Sequence, residues 1–333
     1  MSSQTPPVLI EVTRGPRVES CHRGQFVVID AQGTLHHQLG DPETQVCLRS
    51  LAKPFQALPV LTTGAADAFG FGPQELALFS GSLSGQDFQV ELIKQVLTRL
   101  KLTPEVLQCG THPPLHRPSA QTLAQAGLKP SPLHHTCAGK HAAMLTLCVH
   151  HGWPLDTYLD PEHPVQLLIL GAVARMVGVP PAQITVAIDG CGAPVFYVPL
   201  KNIALGYARL AAAQPDSPAG ILMAAILAHP KLIAGDGRLE TTIMEALPDK
   251  IFAKSGSEGG YGLGLPERGL GVAFKIEDGA ARALNPTVMA ILEQLEMFPP
   301  GAAENLAKFR QPLILNHRKE EVGRVRPVFS LSA

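Results

Sequence analysis

Strand-like segments crowd the two ends of this 333-residue chain while its middle reads as helix, and that distribution constrains the fold more than any other feature. VLIEVTRG (8–15) and FVVIDAQGTLHHQLG (26–40) carry apolar and β-branched residues at strand spacing, and residues 31–33 supply a hairpin turn. KIFAKSGSEGGYGLGL (250–265) and LGVAFKIED (270–278) return to that pattern, followed by a helix from Asn285 to about Met297. Between them, SLAKPFQALPVLTT, PQELALFSGSLSG, DFQVELIKQVLTRLKL, AGKHAAMLTLCVHHG, PVQLLILGAVARMVGV and AGILMAAILAHP show helical periodicity. ITVAIDGCGAPVFYVPL (184–200) reads as a buried strand ending in a glycine loop. The expectation is an α/β (α+β) fold: a sheet from N- and C-terminal strands (about 8–45 and 250–285), flanked by helices, with a largely helical middle (about 50–245).

Composition removes several function classes. With 45% hydrophobic and 17% charged residues the chain can bury a core, and 27 basic against 28 acidic side chains leave a net charge of −1. Such a balance offers no field for gathering a polyanion, so no nucleic-acid partner is expected. The longest apolar runs fall well short of the ~18 residues a membrane span needs, so no membrane partner is expected either. MSSQTPPVLIEVTRG lacks the basic start and apolar run of a signal peptide, which points to the cytoplasm, and six cysteines are too few for a disulfide scaffold.

Chemistry concentrates in a few places. Ser50-x-x-Lys53, at the start of a helix, places a hydroxyl and an amine one turn apart on one face. About 200 residues downstream, Lys254-Ser255-Gly256 lies on a strand. An S-x-x-K motif followed by K-[ST]-G is the arrangement in which helix and strand face one cleft in serine β-lactamases and penicillin-binding proteins. A free lysine is a cation at pH 7, but burial and a second ammonium both depress its pKa. Two lysines converging on one serine can therefore leave one amine neutral, as a general base. Ser82, in the small-residue loop FSGSLSGQD, adds a hydroxyl where a ligand can approach closely. Because Ser50 and Lys254 belong to one cleft, a single catalytic domain over residues 1–333 is expected.

A second constellation is metal-like. Cys137 and His141 lie one helical turn apart, and Cys191 follows Asp189 in a glycine loop, so two thiolates and an imidazole suit zinc with one position open. Cys148 falls on the apolar face of its helix and reads as core. The pairs His36-His37, His134-His135 and His150-His151 are set aside because adjacent side chains point different ways.

RSLAKPFQALP, TCAGKHAAML, IDGCGAPVFYVPL, AGDGRLETTIME, KSGSEGGYGLGL and KIEDGAARA, in that order, resemble the rhizobial-type (class 3) L-asparaginases, the asparaginase II family, over roughly residues 8–330. The resemblance implies a fold like that of serine β-lactamases and glutaminases, and a homodimer. It implies Ser50 as nucleophile with Lys53 as its base, Ser82 with Lys254 as a second tandem, and a zinc ion on Cys137, Lys140 and Cys191 beside Asp189. It replaces His141 by Lys140 as third ligand and leaves His141 as a possible neighbour of the metal or substrate. Lysine ligation requires a neutral amine. The chain departs from the family's S-H-x-G-E run, reading Ser82-Leu83-Ser84-Gly85-Gln86.

The expected reaction is hydrolysis of L-asparagine to L-aspartate and ammonia through an acyl-enzyme on Ser50. Arg49 and Asp189 are expected to recognise the substrate's α-carboxylate and α-amino group, since a zwitterion needs one charge of each sign. Two alternatives share these residues. One is a β-lactamase- or D,D-peptidase-like serine hydrolase, and the other is a non-catalytic zinc- or amino-acid-binding relative.

Overall fold

The computed structural model describes residues 5–298 and 306–331. Among the described residues the strands are β1 (Val8–Arg14), β2 (Arg17–Asp30), β3 (Leu35–Leu39), β4 (Gln45–Cys47), β5 (Thr185–Ile188), β6 (Pro194–Pro199), β7 (Phe252–Ser255), β8 (Gly260–Leu265), β9 (Leu270–Ile276), β10 (Leu313–Leu315) and β11 (Glu321–Pro327). The main sheet runs β10-β11-β1-β2-β9-β8-β7, with β3 against β2, and its pairings are antiparallel. It is an α+β sheet assembled from both ends of the chain, as the segment pattern requires. The long β2 makes this possible. Its first half pairs with β1 and its second half, from Gly24 onward, with β9. The C-terminal pair β10 and β11, which the sequence reading did not anticipate, extends the sheet beyond β1.

Two expectations are corrected. The segment 184–200 is a hairpin, β5 and β6, in a separate sheet of order β4-β6-β5. There β5 is an edge strand with mostly exposed side chains, so its β-branched residues reflect strand propensity rather than burial. The last long helix spans Ala281–Gln294, starting four residues before Asn285, because Pro286 is accommodated within it.

The helix Leu200–Ala211, absent from the sequence reading, lies across β2, β8 and β9. Glycines on the strands let it approach. A Cβ on Gly262 would lie 2.4 Å from the Tyr207 ring, and one on Gly271 would lie 2.0 Å from the Ala204 carbonyl oxygen and 2.3 Å from the Ala208 nitrogen. Tyr207 stacks on Phe252 and donates its hydroxyl to the Leu51 carbonyl at 3.1 Å, tying helix and sheet to the turn that carries Ser50. Gly271→Ala is therefore expected to push the helix off the sheet and cost about 1–3 kcal/mol. The check is a lower urea midpoint at unchanged m-value.

Candidate active site

Ser50 lies in the 3₁₀ turn Arg49–Ala52, which runs directly into the helix Lys53–Thr62 with Pro54 in its first turn. Proline is tolerated there because the first helical N–H groups have no intrahelical partner. The Lys53 side chain turns inward from this helix start and is 1% exposed. Its Nζ donates to the Thr136 carbonyl and contacts the Ser82 hydroxyl, both at 3.0 Å. From β7, Lys254 is also 1% exposed. Its Nζ lies 2.6 Å from Ser82 Oγ and donates to the Ser255 carbonyl at 2.9 Å. The two amines thus converge on Ser82 rather than on Ser50.

No direct side-chain hydrogen bond accompanies the expected pairing of Lys53 with Ser50 among the described residues. The backbone of Lys53 donates to the Ser50 carbonyl, continuing the turn, while its long side chain leaves toward the interior. The Ser50 hydroxyl makes no hydrogen bond among the described residues. Ser50 and Ser82 nevertheless line one cleft of about 580 Å³, together with Arg238, Glu240, Ser255 and Asn285.

Ser82 is held from both sides. Its N–H donates to the Ile233 carbonyl at 2.7 Å, and the next N–H, of Leu83, donates to Thr136, the carbonyl that also receives Lys53. Where the family motif is broken, Leu83 is buried, and Gln86 exchanges two hydrogen bonds with Asp236: Nε2 to Oδ2 at 3.0 Å and Oε1 from the backbone N–H at 2.8 Å. The replacement thus clamps the Ser82 loop to the segment that leads into Arg238.

Burial is the largest influence on both lysines and pushes each below its ordinary pKa. For Lys254 the Lys53 ammonium adds to it, and the shift is large. A neutral amine beside Ser82 can accept the hydroxyl's proton, which two ammonium groups cannot do.

The second constellation assembles as a buried cluster. The Cys137 and Cys191 sulfurs and an Asp189 oxygen lie within 4.8 Å of one another, and Lys140 Nζ is 3.7 Å from Asp189 Oδ2. The neighbouring Cys191 holds the Cys137 thiol well below its usual range, and Cys137 in turn pushes Cys191 above it. Burial opposes the Lys140 ammonium, but Cys137, Cys191 and Asp189 together outweigh it and raise its pKa. Two sulfurs with a carboxylate oxygen fit a zinc ion in character, and Lys140 would join them only as a neutral amine.

His141 does not join the cluster. Cys137 caps its helix with non-helical angles (φ −102°, ψ 3°), so its side chain does not follow the i, i+4 stripe on which the spacing argument rested. His141 is fully buried, meets the Tyr158 hydroxyl at 2.7 Å through Nδ1, and is absent from the cleft lining. The Tyr158 oxygen also accepts the Gln108 N–H. Burial pushes the His141 pKa well down, so the imidazole is neutral, and its Nε2 has no hydrogen-bond partner among the described residues. Cys148 is core, as expected, and burial pushes its thiol up to about 12.

Arg49 and Asp189 also differ from expectation. Arg49 Nε donates to Asp189 Oδ1 at 2.7 Å, and neither residue lines the cleft. They pair outside it, where Asp189 also meets Lys140. Arg49 holds a left-handed backbone angle (φ 45°), rare for a long side chain, which the ion pair helps to fix where the chain enters the Ser50 turn. Arg238 and Glu240 were missed as site residues, although both stand in the AGDGRLETTIME block, where an arginine and a glutamate flank an apolar residue.

Among the described residues no helix is long and apolar enough to cross a membrane. No curated protein matches the chain. Among solved structures, Mglu in its native form in 4.3 M NaCl is similar at 15% identity and a TM-score of 0.47, over 84% of this chain and 63% of that one. The chain therefore spans less than two thirds of that Mglu structure. A β-lactamase from Mycobacterium bovis is similar at 15% identity and a TM-score of 0.40, over 86% and 95% of the two chains. The Bacillus subtilis glutaminase YbgJ, in covalent complex with 5-oxo-L-norleucine, gives 14% identity and a TM-score of 0.39, over 82% and 88%. The L-asparaginase II family model matches residues 10–327, nearly the whole chain, and the chain belongs to that family.

Proposed function

We propose that the chain is an amidohydrolase that converts L-asparagine and water to L-aspartate and ammonia through an acyl-serine. The observation that carries this reading is the convergence of Lys53 and Lys254 on Ser82, at 3.0 and 2.6 Å, at a cleft that also exposes Ser50. Ser50 Oγ attacks the carboxamide carbon, and its proton passes to Ser82, whose own proton moves to the neutral amine. A Ser50 Oγ–C bond forms and the C–N bond breaks. The new lysine ammonium returns its proton to the departing nitrogen, which leaves as ammonia. Water then repeats the sequence on the ester and frees L-aspartate. A second reading, favoured by the 2.6 Å Lys254 contact, makes Ser82 itself the attacking oxygen. Mass mapping of the serine labelled by a diazoketone analogue of asparagine separates the two.

The test of the activity is a coupled ammonia assay comparing asparagine, glutamine and β-aspartyl peptides. Ammonia from asparagine above the others is the expected result, and none from any of the three would overturn the reading.

Zinc fits Cys137, Cys191 and either Lys140 or Asp189, and bound there it would supply positive charge and fix the loop that carries Cys191. Protein purified without chelator is expected to hold one zinc per chain, measured by mass-spectrometric metal analysis, and Cys137→Ser or Cys191→Ser to lose it. Equal zinc in parent and variants would remove the assignment.

A further inference from the structure

The cleft at Ser82 has two charged side chains among its lining residues, Arg238 and Glu240, one of each sign. Arg238 Nη2 donates to Glu240 Oε1 and to Ser255 Oγ, both at 3.1 Å. Its Nε and Nη1 have no partner among the described residues. The Arg238 side chain is 35% exposed and the Glu240 side chain 4%, and both line the cleft. From the facing helix Ala281–Gln294, Asn285 also lines the cleft, and its amide makes no hydrogen bond among the described residues.

The position of this pair relative to Ser82 is fixed by the backbone. Ser82 is bonded to Ile233, and Gln86 to Asp236, so the Ser82 loop and the segment leading into Arg238 move together. Ser255, which holds Arg238, directly follows Lys254. Lys254 and the charged pair are thus joined through β7, which carries both Lys254 and Ser255.

We propose that Arg238 binds the α-carboxylate of the substrate and Glu240 its α-ammonium, with Ser255 positioning Arg238. This rests on the asparaginase reading and deepens it. A guanidinium with two free donor nitrogens suits a planar carboxylate, and the Glu240 carboxylate lining the same cleft suits a cation. Asn285 lines the same cleft with its amide unpaired among the described residues. The pair selects a free amino acid over an asparagine inside a peptide, whose α-groups are uncharged amides.

The experiment compares three amides on the full chain: L-asparagine, succinamate, which lacks the α-ammonium, and 3-aminopropanamide, which lacks the α-carboxylate. Arg238→Met is expected to lower kcat/KM for asparagine and succinamate by about 10- to 100-fold, the usual size of a lost charged hydrogen bond. For 3-aminopropanamide it should change little. Glu240→Gln should give the complementary pattern, sparing succinamate, and Arg238→Lys should recover part of the loss. Equal losses on all three amides would show a merely structural role and overturn the assignment, as would no loss. Calorimetric Kd values for L-aspartate, succinate and 3-aminopropanoate give the same comparison without turnover. A wild-type protein that releases no ammonia therefore fails the asparaginase reading alone, whereas equal weakening of the three acids by Arg238→Met fails the assignment.

Discussion

Ser82→Ala is expected to abolish ammonia release from asparagine, by about 10³-fold or more, while the protein stays folded. Both routes to the acyl-enzyme require this hydroxyl: either it relays the proton of Ser50 to an amine, or it attacks. Its loss leaves Lys53 and Lys254 facing a methyl group, with the carbonyls of Thr136 and Ser255 as their remaining partners. The comparison with Ser50→Ala assigns the roles. If Ser50 carries the acyl group, the two variants are equally inactive. If Ser82 carries it, Ser50→Ala keeps measurable turnover and only Ser82→Ala is silent. Near-parental ammonia release by Ser82→Ala, with a parental circular dichroism spectrum, would sink both versions.

Lys254→Met should lose about 10²- to 10⁴-fold in kcat/KM, the range of a general base, and yet melt at a higher temperature near neutral pH. The two effects have one cause. Burial, then the neighbouring Lys53 ammonium, hold the Lys254 pKa well below 10.5. Between that depressed value and the ordinary lysine pKa of about 10.4, the unfolded chain binds more protons than the folded one. Stability therefore rises with pH across this window, and below it the buried group weighs against folding. An apolar side chain of similar length removes that cost, just as replacing buried charge by apolar packing often stabilises. For the same reason the parental kcat/KM should climb with pH as Lys254 loses its proton, toward a plateau below the ordinary lysine range. The measurement is a pH–rate profile from 6 to 10 alongside thermal melts. A flat profile would remove the lysine base, and a variant both inactive and less stable would indicate a packing role instead.

Local pattern carried much of the architecture. Alternation in VLIEVTRG and FVVIDAQGTLHHQLG placed β1, β2 and β3, and the apolar periodicity around Lys140 and Leu145 placed the helix Ala138–His151. The pattern failed where two elements explain each other. The helix Leu200–Ala211 was hidden behind the strand-like run before it, and Gly262 and Gly271 mark its docking only once Tyr207 and Ala204 are seen against them. The edge position of β5 could not be read from its β-branched residues, because exposure depends on what fails to cover a strand.

The residue types of the site were legible in the same way. A serine three residues before a lysine, a distant Lys-Ser-Gly, and two cysteines flanking a lysine and an aspartate named the chemistry, since these side chains have few other reasons to share apolar surroundings. Their partnerships were not. Lysine reaches several ångströms from its backbone, so sequence spacing fixed where Lys53 starts but not that its amine ends on Ser82. Arg49 and Asp189 supplied the opposite charges a zwitterion needs, but only folding showed them paired away from the cleft, with the Arg238–Glu240 pair lining it. By itself the sequence determined the inventory of nucleophiles, amines and thiols and the elements that carry them. Tertiary structure decided which hydroxyl meets the amines and which charged pair lines the cleft, because both depend on how distant segments pack, the Lys254–Ser82 contact joining residues 172 apart.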